Sequence, residues 1–235
     1  MNYYFILEDE KSFLKVLSSW LKHMNFKCER VVDIQQIKEN NYVLQSGQGV
    51  TQLITKVLFQ TIETIKQNPG KIDKLVVVLD AEEEDVTTRE QEVYDKIKKQ
   101  YDLEELDFTI KVFVCNHCFE TWLLGCEGMY PQNVEENSFF YEYCKHYDIE
   151  ANDPEYMPLP ERCDKTIAKY HFSYLHEMFR YKKIRYSKSK PQHVATLEYF
   201  NGIQNRSENT QHIQSFKKFI NFILSENLLM ASKDI

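Results

Sequence analysis

The feature that most constrains the fold is an uninterrupted apolar run that ends in acids. Residues 75–79 are Leu-Val-Val-Val-Leu, and five of the next six residues are acidic, beginning with Asp80. A run that does not alternate with polar residues is typical of a strand covered on both faces, as in a parallel sheet. Open α/β sheets bind ligands at the carboxyl ends of such strands. A solvated acidic turn before a helix gives the same pattern, so this alternative stays open.

A second strand of this kind opens the chain. Residues 3–7 are apolar and Glu8 follows them directly, while an apolar stripe over 10–24 predicts the next helix. Neighbouring parallel strands end at the same edge of a sheet, so Glu8 and Asp80 are predicted to meet there. Carboxylates packed closely repel one another and gain from a divalent cation that prefers oxygen ligands. Mg²⁺ is the expected cation, with Mn²⁺ as the alternative.

The first half of the chain alternates predicted strands and helices. Further strands are predicted at 26–34 and 109–114, and a helix at 51–67. Another helix follows the acidic run, with Thr87 and Glu90 as its capping box. This order predicts an α/β fold in which a parallel sheet carries helices on both faces.

The chain is expected to divide near residue 125. Residues 1–125 are predicted to form the core with the sheet, and residues 126–235 a mostly helical extension without a strand pattern. Within the extension, 130–160 is predicted as irregular structure with short helices, and 211–229 as an amphipathic helix.

Composition narrows the class of protein. With 235 residues, 43% of them hydrophobic, the chain can bury a large core, and its net charge of −7 argues against a protein that coats nucleic acid. The chain begins within a strand, so no signal peptide is expected, and no stretch has the length needed to cross a bilayer. Six cysteines then indicate reduced thiols in the cytoplasm. Cys115 and Cys118 have a zinc-like spacing, but no second pair completes a four-ligand set, so no structural zinc is predicted.

Positive charge is concentrated in one stretch of the second half. Residues 162–190 hold nine lysines and arginines against two acids, and tyrosine and phenylalanine are interleaved with them. Clustered cations can neutralise phosphates, and aromatic rings can stack on unpaired bases. The solvated face of an amphipathic helix has the same composition. We favour phosphate contact, and the predicted nucleic-acid-binding residues are Arg180, Lys182, Lys183, Arg185, Lys188 and Lys190.

A third acid, Glu120, follows the strand predicted at 109–114 and lies in an apolar segment beside Phe119 and Trp122. An acid in the first turn of a helix is favoured by the helix dipole, which is one explanation. The other is a half-buried carboxylate at the same sheet edge as Glu8 and Asp80, and such a group needs a partner. Both explanations stay open.

Three segments resemble a known family. Residues 5–14, Phe-Ile-Leu-Glu-Asp-Glu-Lys-Ser-Phe-Leu, resemble the opening of TOPRIM domains, commonly Glu-Gly-Glu before a helix with Phe-Leu. Asp80 and Glu82 correspond to that family's Asp-x-Asp. Residues 118–124, Cys-Phe-Glu-Thr-Trp-Leu-Leu, are similar to a motif of the RloB-like and OLD-like TOPRIM nucleases of bacterial phage defence. The likeness covers about residues 3–125. Asp9 replaces the usual glycine and Glu82 the second aspartate, with Glu84 as a substitute ligand.

The resemblance implies a TOPRIM-like (Rossmann-like) fold and Mg²⁺- or Mn²⁺-dependent cleavage of phosphodiesters in DNA or RNA, including tRNA. Asp80 and Glu82 would hold the metal, Glu8 would bind metal or act as general base or acid, and Glu120 would complete the shell. It also implies an effector of phage defence that an ATPase partner holds inactive. Whether the chain forms a homodimer stays open.

Two other classes of protein are compatible with the sequence. One is a binding module that keeps the TOPRIM fold without catalysis. The other is a phospho-switch, because residues 6–11 also resemble the acidic opening of response-regulator receiver domains, in which Asp80 would be the phosphoacceptor. In that family, however, the phosphoacceptor strand follows the opening acids much sooner.

Overall fold

The fold is organised around a parallel sheet, which a computed structural model describes together with the rest of residues 1–9 and 11–232. Its strands, in chain order, are β1 (Tyr3–Leu7), β2 (Glu29–Val31), β3 (Asn41–Ser46), β4 (Lys74–Asp80) and β5 (Thr109–Cys115). In space they follow the order β2-β3-β1-β4-β5, and every pairing is parallel. The predicted α/β class with a parallel sheet is confirmed.

Helices cover both faces of this sheet. Those of the described residues are α1 (Phe13–His23), α2 (Val50–Gln52), α3 (Leu58–Lys66), α4 (Val86–Lys98), α5 (Phe119–Leu124), α6 (Phe139–His146), α7 (Ile167–Tyr181), α8 (Leu197–Asn209) and α9 (Gln214–Ala231). A π-helical segment, Leu53–Val57, joins α2 to α3. The helical character of the second half is confirmed. Across the described residues, none of these helices is both long and apolar enough to cross a membrane.

The unbroken apolar run of β4 is explained by burial on both faces. Val76 and Val78 point into one core, which also contains α1 and helices of the second half. Leu75, Val77 and Leu79 point into the other, which contains residues of α2, α3 and α4. All five side chains are fully buried. Burying an aliphatic side chain of this size contributes roughly 1.5–3 kcal/mol, so the run strongly favours its central position.

The second half of the chain packs onto the β1 and β4 face and joins the core formed there by α1. The indole ring of Trp122 in α5 lies 5.5 Å from the ring centroid of Phe216 and 5.8 Å from that of Phe219, both in α9. Gly125 allows this approach, since a Cβ atom at its position would lie only 1.9 Å from the Ile213 side chain. Residues on both sides of position 125 therefore share one hydrophobic core.

The strand predicted at 26–34 is wrong in extent. Only Glu29–Val31 is extended there, at the edge of the sheet, and Val32 is 87% exposed. Two elements were not predicted from the sequence. One is β3, which is the direct neighbour of β1 and has four buried residues, and the other is α8.

Three helix starts also differ from the prediction. The first helix begins at Phe13, and Glu10 lies outside the described residues. α4 is capped by the Asp85 side chain, which accepts a hydrogen bond from the backbone N–H of Thr88, and not by the predicted Thr87 box. α9 begins at Gln214, because Ile213 adopts a left-handed conformation with φ of 53°.

Candidate metal centre

Glu8 and Asp80 lie side by side at the carboxyl edge of the sheet. Glu8 extends the pairing of β1 with β4, since its backbone N–H donates to the carbonyl of Val78 over 3.0 Å. The backbone N–H of Asp80 in turn donates to Oε2 of Glu8 over 2.7 Å. An aspartate carboxylate is only a few bonds from its own amide, so the structure brings these two predicted site residues together.

The pKa values of both acids are displaced upward. Burial raises the pKa of Glu8 to about 7, and the nearby Glu82 adds to the rise, while the hydrogen bond from Asp80 opposes it. Burial also raises the pKa of Asp80 well above its ordinary value, with Glu8 and Glu120 as further causes. Like charges in a poorly solvated site make ionisation costly, and a cation relieves that cost.

Glu120 is the most deeply buried acid of the cluster. It lies in the first turn of α5 and is 1% exposed. The ring of Phe119 stacks on Phe13 with 4.3 Å between centroids, which fixes α5 against α1. Oε1 of Glu120 accepts no hydrogen bond of acceptable geometry from the described residues. Glu120 is thus both a first-turn acid and a buried carboxylate, so the two explanations left open by the sequence hold together.

Glu120 forms a salt bridge with Lys188, whose Nζ lies 3.1 Å from Oε1. Partial burial would lower the pKa of Lys188, but the Glu120 carboxylate more than offsets this, and the pKa rises above its ordinary value. Nζ also lies 5.6 Å from the ring centroid of Phe172. Lys188 was predicted as a nucleic-acid contact, and this structure pairs it with Glu120 of the carboxylate cluster.

A groove of about 420 Å³ opens over the cluster, lined by Glu8, Asp80 and Lys188 among others. Asp9 also lines it and organises the turn before α1, because its carboxylate accepts from Ser12 Oγ over 2.5 Å. The opposite wall is Gly49, whose N–H donates to the carbonyl of Glu8 over 3.0 Å. Gly49 has φ of 89°, which few residues other than glycine adopt.

Glu82 stands beside this groove and does not line it. Its φ of 55° is left-handed, and its N–H donates to the carbonyl of His117 over 2.8 Å, which ties together the loops after β4 and β5. Its exposed carboxylate is close enough to raise the pKa of Glu8. Glu84 is exposed as well, and Glu83 accepts a hydrogen bond from the N–H of Ile167 at the start of α7.

The donor atoms suit a hard divalent cation, although the side chains are not gathered around one point. Among the described residues, no group of three or more His, Cys, Asp or Glu side chains is arranged to hold an ion. The fit rests on chemistry: carboxylate oxygens follow three strand ends, and Oε1 of the buried Glu120 is paired with the ammonium group of Lys188. A cation is thus favoured beside Glu120, and carboxylate oxygens are the ligands that hard divalent cations prefer.

Three of the other predicted cationic residues line a separate basic groove. Arg180, Lys183 and Arg185 line a groove of about 340 Å³ together with His176 and Tyr186. Nζ of Lys182 donates to the carbonyl of Gly128 over 3.2 Å, and Lys190 is exposed.

Tyr186 lines this basic groove and also lies close to the acids. Its hydroxyl group is buried, without a hydrogen-bond partner among the described residues. Burial raises the pKa of the hydroxyl, and Glu120 is the next cause of the rise.

The cysteine pair considered for zinc is part of the protein interior. Cys115 ends β5 and Cys118 precedes α5, and both thiols are buried. Sγ of Cys118 lies 3.6 Å from Oγ1 of Thr121 and 3.8 Å from the carbonyl of Ala168. Burial raises the pKa of both thiols, which disfavours the thiolate that zinc requires.

No family model, curated protein or solved structure matches this chain. The resemblance to TOPRIM domains therefore rests on the three sequence segments that carry it. The parallel sheet and its acidic edge stand independently of that resemblance.

Proposed function

We propose that this protein is a Mg²⁺-dependent nuclease with a TOPRIM-like core, which hydrolyses phosphodiester bonds of DNA or RNA. The observation that carries the proposal is the contact of Glu8 with Asp80 at one edge of the sheet, with the buried Glu120 close enough to raise the pKa of Asp80. An anionic site of oxygen donors at the ends of parallel strands favours a hard divalent cation and, through it, a phosphate.

Each acid has a role that follows from its surroundings. A bound Mg²⁺ would polarise the phosphate and lower the pKa of an attacking water. Asp80 and Glu120 supply ligand oxygens from β4 and α5, and Glu82 can extend toward them from the neighbouring loop. Glu8 has a pKa raised to about 7, mainly by burial, which suits a group that accepts a proton from water near neutral pH.

The basic groove supports a polyanionic substrate. A carboxylate site in a chain of net charge −7 repels nucleic acid, so capture requires a separate cationic surface. Arg180, Lys183 and Arg185 supply one, and Tyr186 lies between them and the acids. A role in phage defence and control by an ATPase partner are further proposals, and both rest on the sequence resemblance alone.

The test is cleavage of plasmid DNA and of tRNA by the purified protein with Mg²⁺, Mn²⁺ or EDTA. We expect metal-dependent products from the wild type, none from Asp80→Asn or Glu8→Gln, and wild-type activity from Asp164→Asn, which changes an exposed aspartate. Labelling of Asp80 by acetyl phosphate would instead favour the phospho-switch. Cleavage that persists in EDTA, or in Asp80→Asn, would contradict the proposed function.

A further inference from the structure

The turn that carries Lys188 places its ammonium group beside Glu120, the most buried acid of the site. The side chain of Lys188 is 45% exposed, whereas that of Glu120 is 2% exposed, so the lysine reaches inward from the surface. In the 180–190 segment, the ion pairs among the described residues are Arg180 with Glu177 and Lys188 with Glu120. Of the two basic residues in these ion pairs, Lys188 is the one that contacts the carboxylate cluster.

Hydrogen bonds within and around the turn 187–190 help to fix the position of Lys188. Ser187 and Lys190 form an antiparallel bridge, and the N–H of Lys190 donates to the carbonyl of Ser187 over 2.9 Å. Nζ of Lys15 in α1 donates to the carbonyl of Ser189 over 3.0 Å, which anchors the tip of the turn. These contacts are few and lie at the surface, as is typical of segments that open locally.

An ammonium group and a divalent ion cannot both take the same oxygen of Glu120. A metal ligand oxygen lies roughly 2.0–2.6 Å from its ion, so Nζ at its present 3.1 Å from Oε1 would be held against a like charge at close range. The ammonium neutralises one negative charge of the cluster, whereas a divalent ion neutralises two. The two cations therefore compete for the cluster.

We infer that Lys188 is a tethered counter-ion that occupies the place of the metal at Glu120, so that the turn 187–190 holds the site closed until the lysine withdraws. The inference rests on the proposed function, because it assigns a regulatory contact to the same metal centre. Metal binds only to the fraction of molecules with the turn open, and its apparent affinity is reduced by that fraction. Nucleic-acid phosphates offer Lys188 another partner, so substrate and metal reinforce each other's binding.

The experiment is calorimetric titration of Mn²⁺ alone into the full chain as wild type, Lys188→Gln and Lys11→Gln. Lys11 lines the same groove and is exposed, so its variant measures the general effect of removing one positive charge there. We expect Lys188→Gln to bind Mn²⁺ about tenfold more tightly than the wild type or better, and Lys11→Gln to differ by about twofold.

Hydrogen exchange of the wild-type protein gives a second readout that needs no variant. The Lys190 amide is bonded to Ser187 in the closed turn, so its protection is expected to fall when Mn²⁺ is added. If Lys188→Gln and the wild type bind Mn²⁺ equally, or the Lys190 amide stays protected with metal bound, the proposed role of Lys188 is wrong, whereas the proposed metal centre is not contradicted. If none of the proteins binds Mn²⁺, the metal centre is wrong, and the role of Lys188 that depends on it is wrong as well.

Discussion

Asp80 donates its backbone N–H to the carboxylate of Glu8 over 2.7 Å, although 72 residues separate the two acids along the chain. The contact follows from the register of β1 with β4, in which Leu7 lies opposite Val78. Both strands are buried on both faces, so a slip in this register would have to repack both cores. The geometry of the acidic edge is therefore set by the packing of the sheet beneath it.

Glu8→Gln is expected to stabilise the metal-free protein, and increasingly so as pH rises. The folded pKa of Glu8 is about 7 and its ordinary value is 4.5, so folding favours the protonated form. The wild type therefore loses stability as pH rises from 4.5 through 7, and the neutral glutamine does not. Urea unfolding in EDTA should give Glu8→Gln an advantage of roughly 1–3 kcal/mol at pH 8 and little at pH 4.5, after allowance for solvent screening.

Glutamine keeps an oxygen that can accept from the Asp80 amide, so this comparison isolates the charge. Glu39→Gln removes an exposed acid in the loop before β3 and serves as the control. A difference between Glu8→Gln and the wild type that stays constant from pH 4.5 to 8 would contradict the raised pKa. Addition of Mg²⁺ should narrow the difference, because the ion stabilises the ionised cluster of the wild type.

Replacement of Arg180, Lys183 and Arg185 by glutamine is expected to weaken nucleic-acid binding without changing metal affinity. These three side chains line one groove, so they are the cations best arranged to follow a phosphate backbone. Loss of each phosphate contact should flatten the salt dependence of binding by about one unit of slope. Fluorescence anisotropy with labelled DNA and RNA at several salt concentrations measures both quantities.

The matched control for that variant is Lys27, Lys98 and Lys99 changed to glutamine, since these lysines are also exposed and the net charge change is the same. Equal losses in the two triple variants would mean that only overall charge matters. Wild-type affinity and slope in the groove variant would identify the basic surface as a solvated face or a partner surface.

The parts of the fold that could be predicted are those whose signal is local. The run at 75–79 is apolar throughout, and its acids follow directly, so both the strand and the position of Asp80 are apparent from the sequence. β3 is different because its stability comes from distant partners: the N–H of Asn41 donates to the side chain of Asn2 over 2.9 Å, and Tyr42 pairs with Tyr3. Its Asn, Gln and Ser residues dilute the strand pattern.

The candidate site divides in the same way. Glu8 and Asp80 follow strands that the sequence reveals, and parallel neighbours bring their ends together. Lys188 reaches the acids only because α7 packs beside α5 and returns the following turn to the sheet edge. For Lys188, the sequence shows only that the surrounding segment is rich in cations, and this composition favours a phosphate contact. Only the packing of the second half shows that the lysine pairs with Glu120.

Thiol labelling is expected to separate the six cysteines into two classes. Cys144 and Cys163 are partly exposed, while the other four are buried. A maleimide should therefore label at most two thiols of the native protein and all six in denaturant. The purified protein should contain no stoichiometric zinc. Zinc that is lost together with the fold on chelation would show that the prediction for Cys115 and Cys118 is wrong.

Ser215→Ala is expected to destabilise the protein because its hydroxyl joins three parts of the structure. Oγ accepts from the indole N–H of Trp122 over 2.6 Å and from the backbone N–H of Asn116 over 3.2 Å, and it donates to the buried carboxylate of Glu155. Alanine leaves the Trp122 indole N–H buried without this partner. An unsatisfied buried group costs about 1–3 kcal/mol, so urea unfolding should show a loss of at least that size.

The control for Ser215→Ala is Ser225→Ala, which makes the same chemical change on the exposed face of α9, where Oγ bonds only to the carbonyl of Phe222 among the described residues. We expect its effect to stay within about 0.5 kcal/mol. Trp122 and Glu120 share α5, so a loosened indole should also weaken Mn²⁺ binding, since Glu120 is less firmly positioned. If both serine variants have equal stability, the hydroxyl of Ser215 does not hold α5 to the C-terminal helix, and the position of Glu120 has another origin.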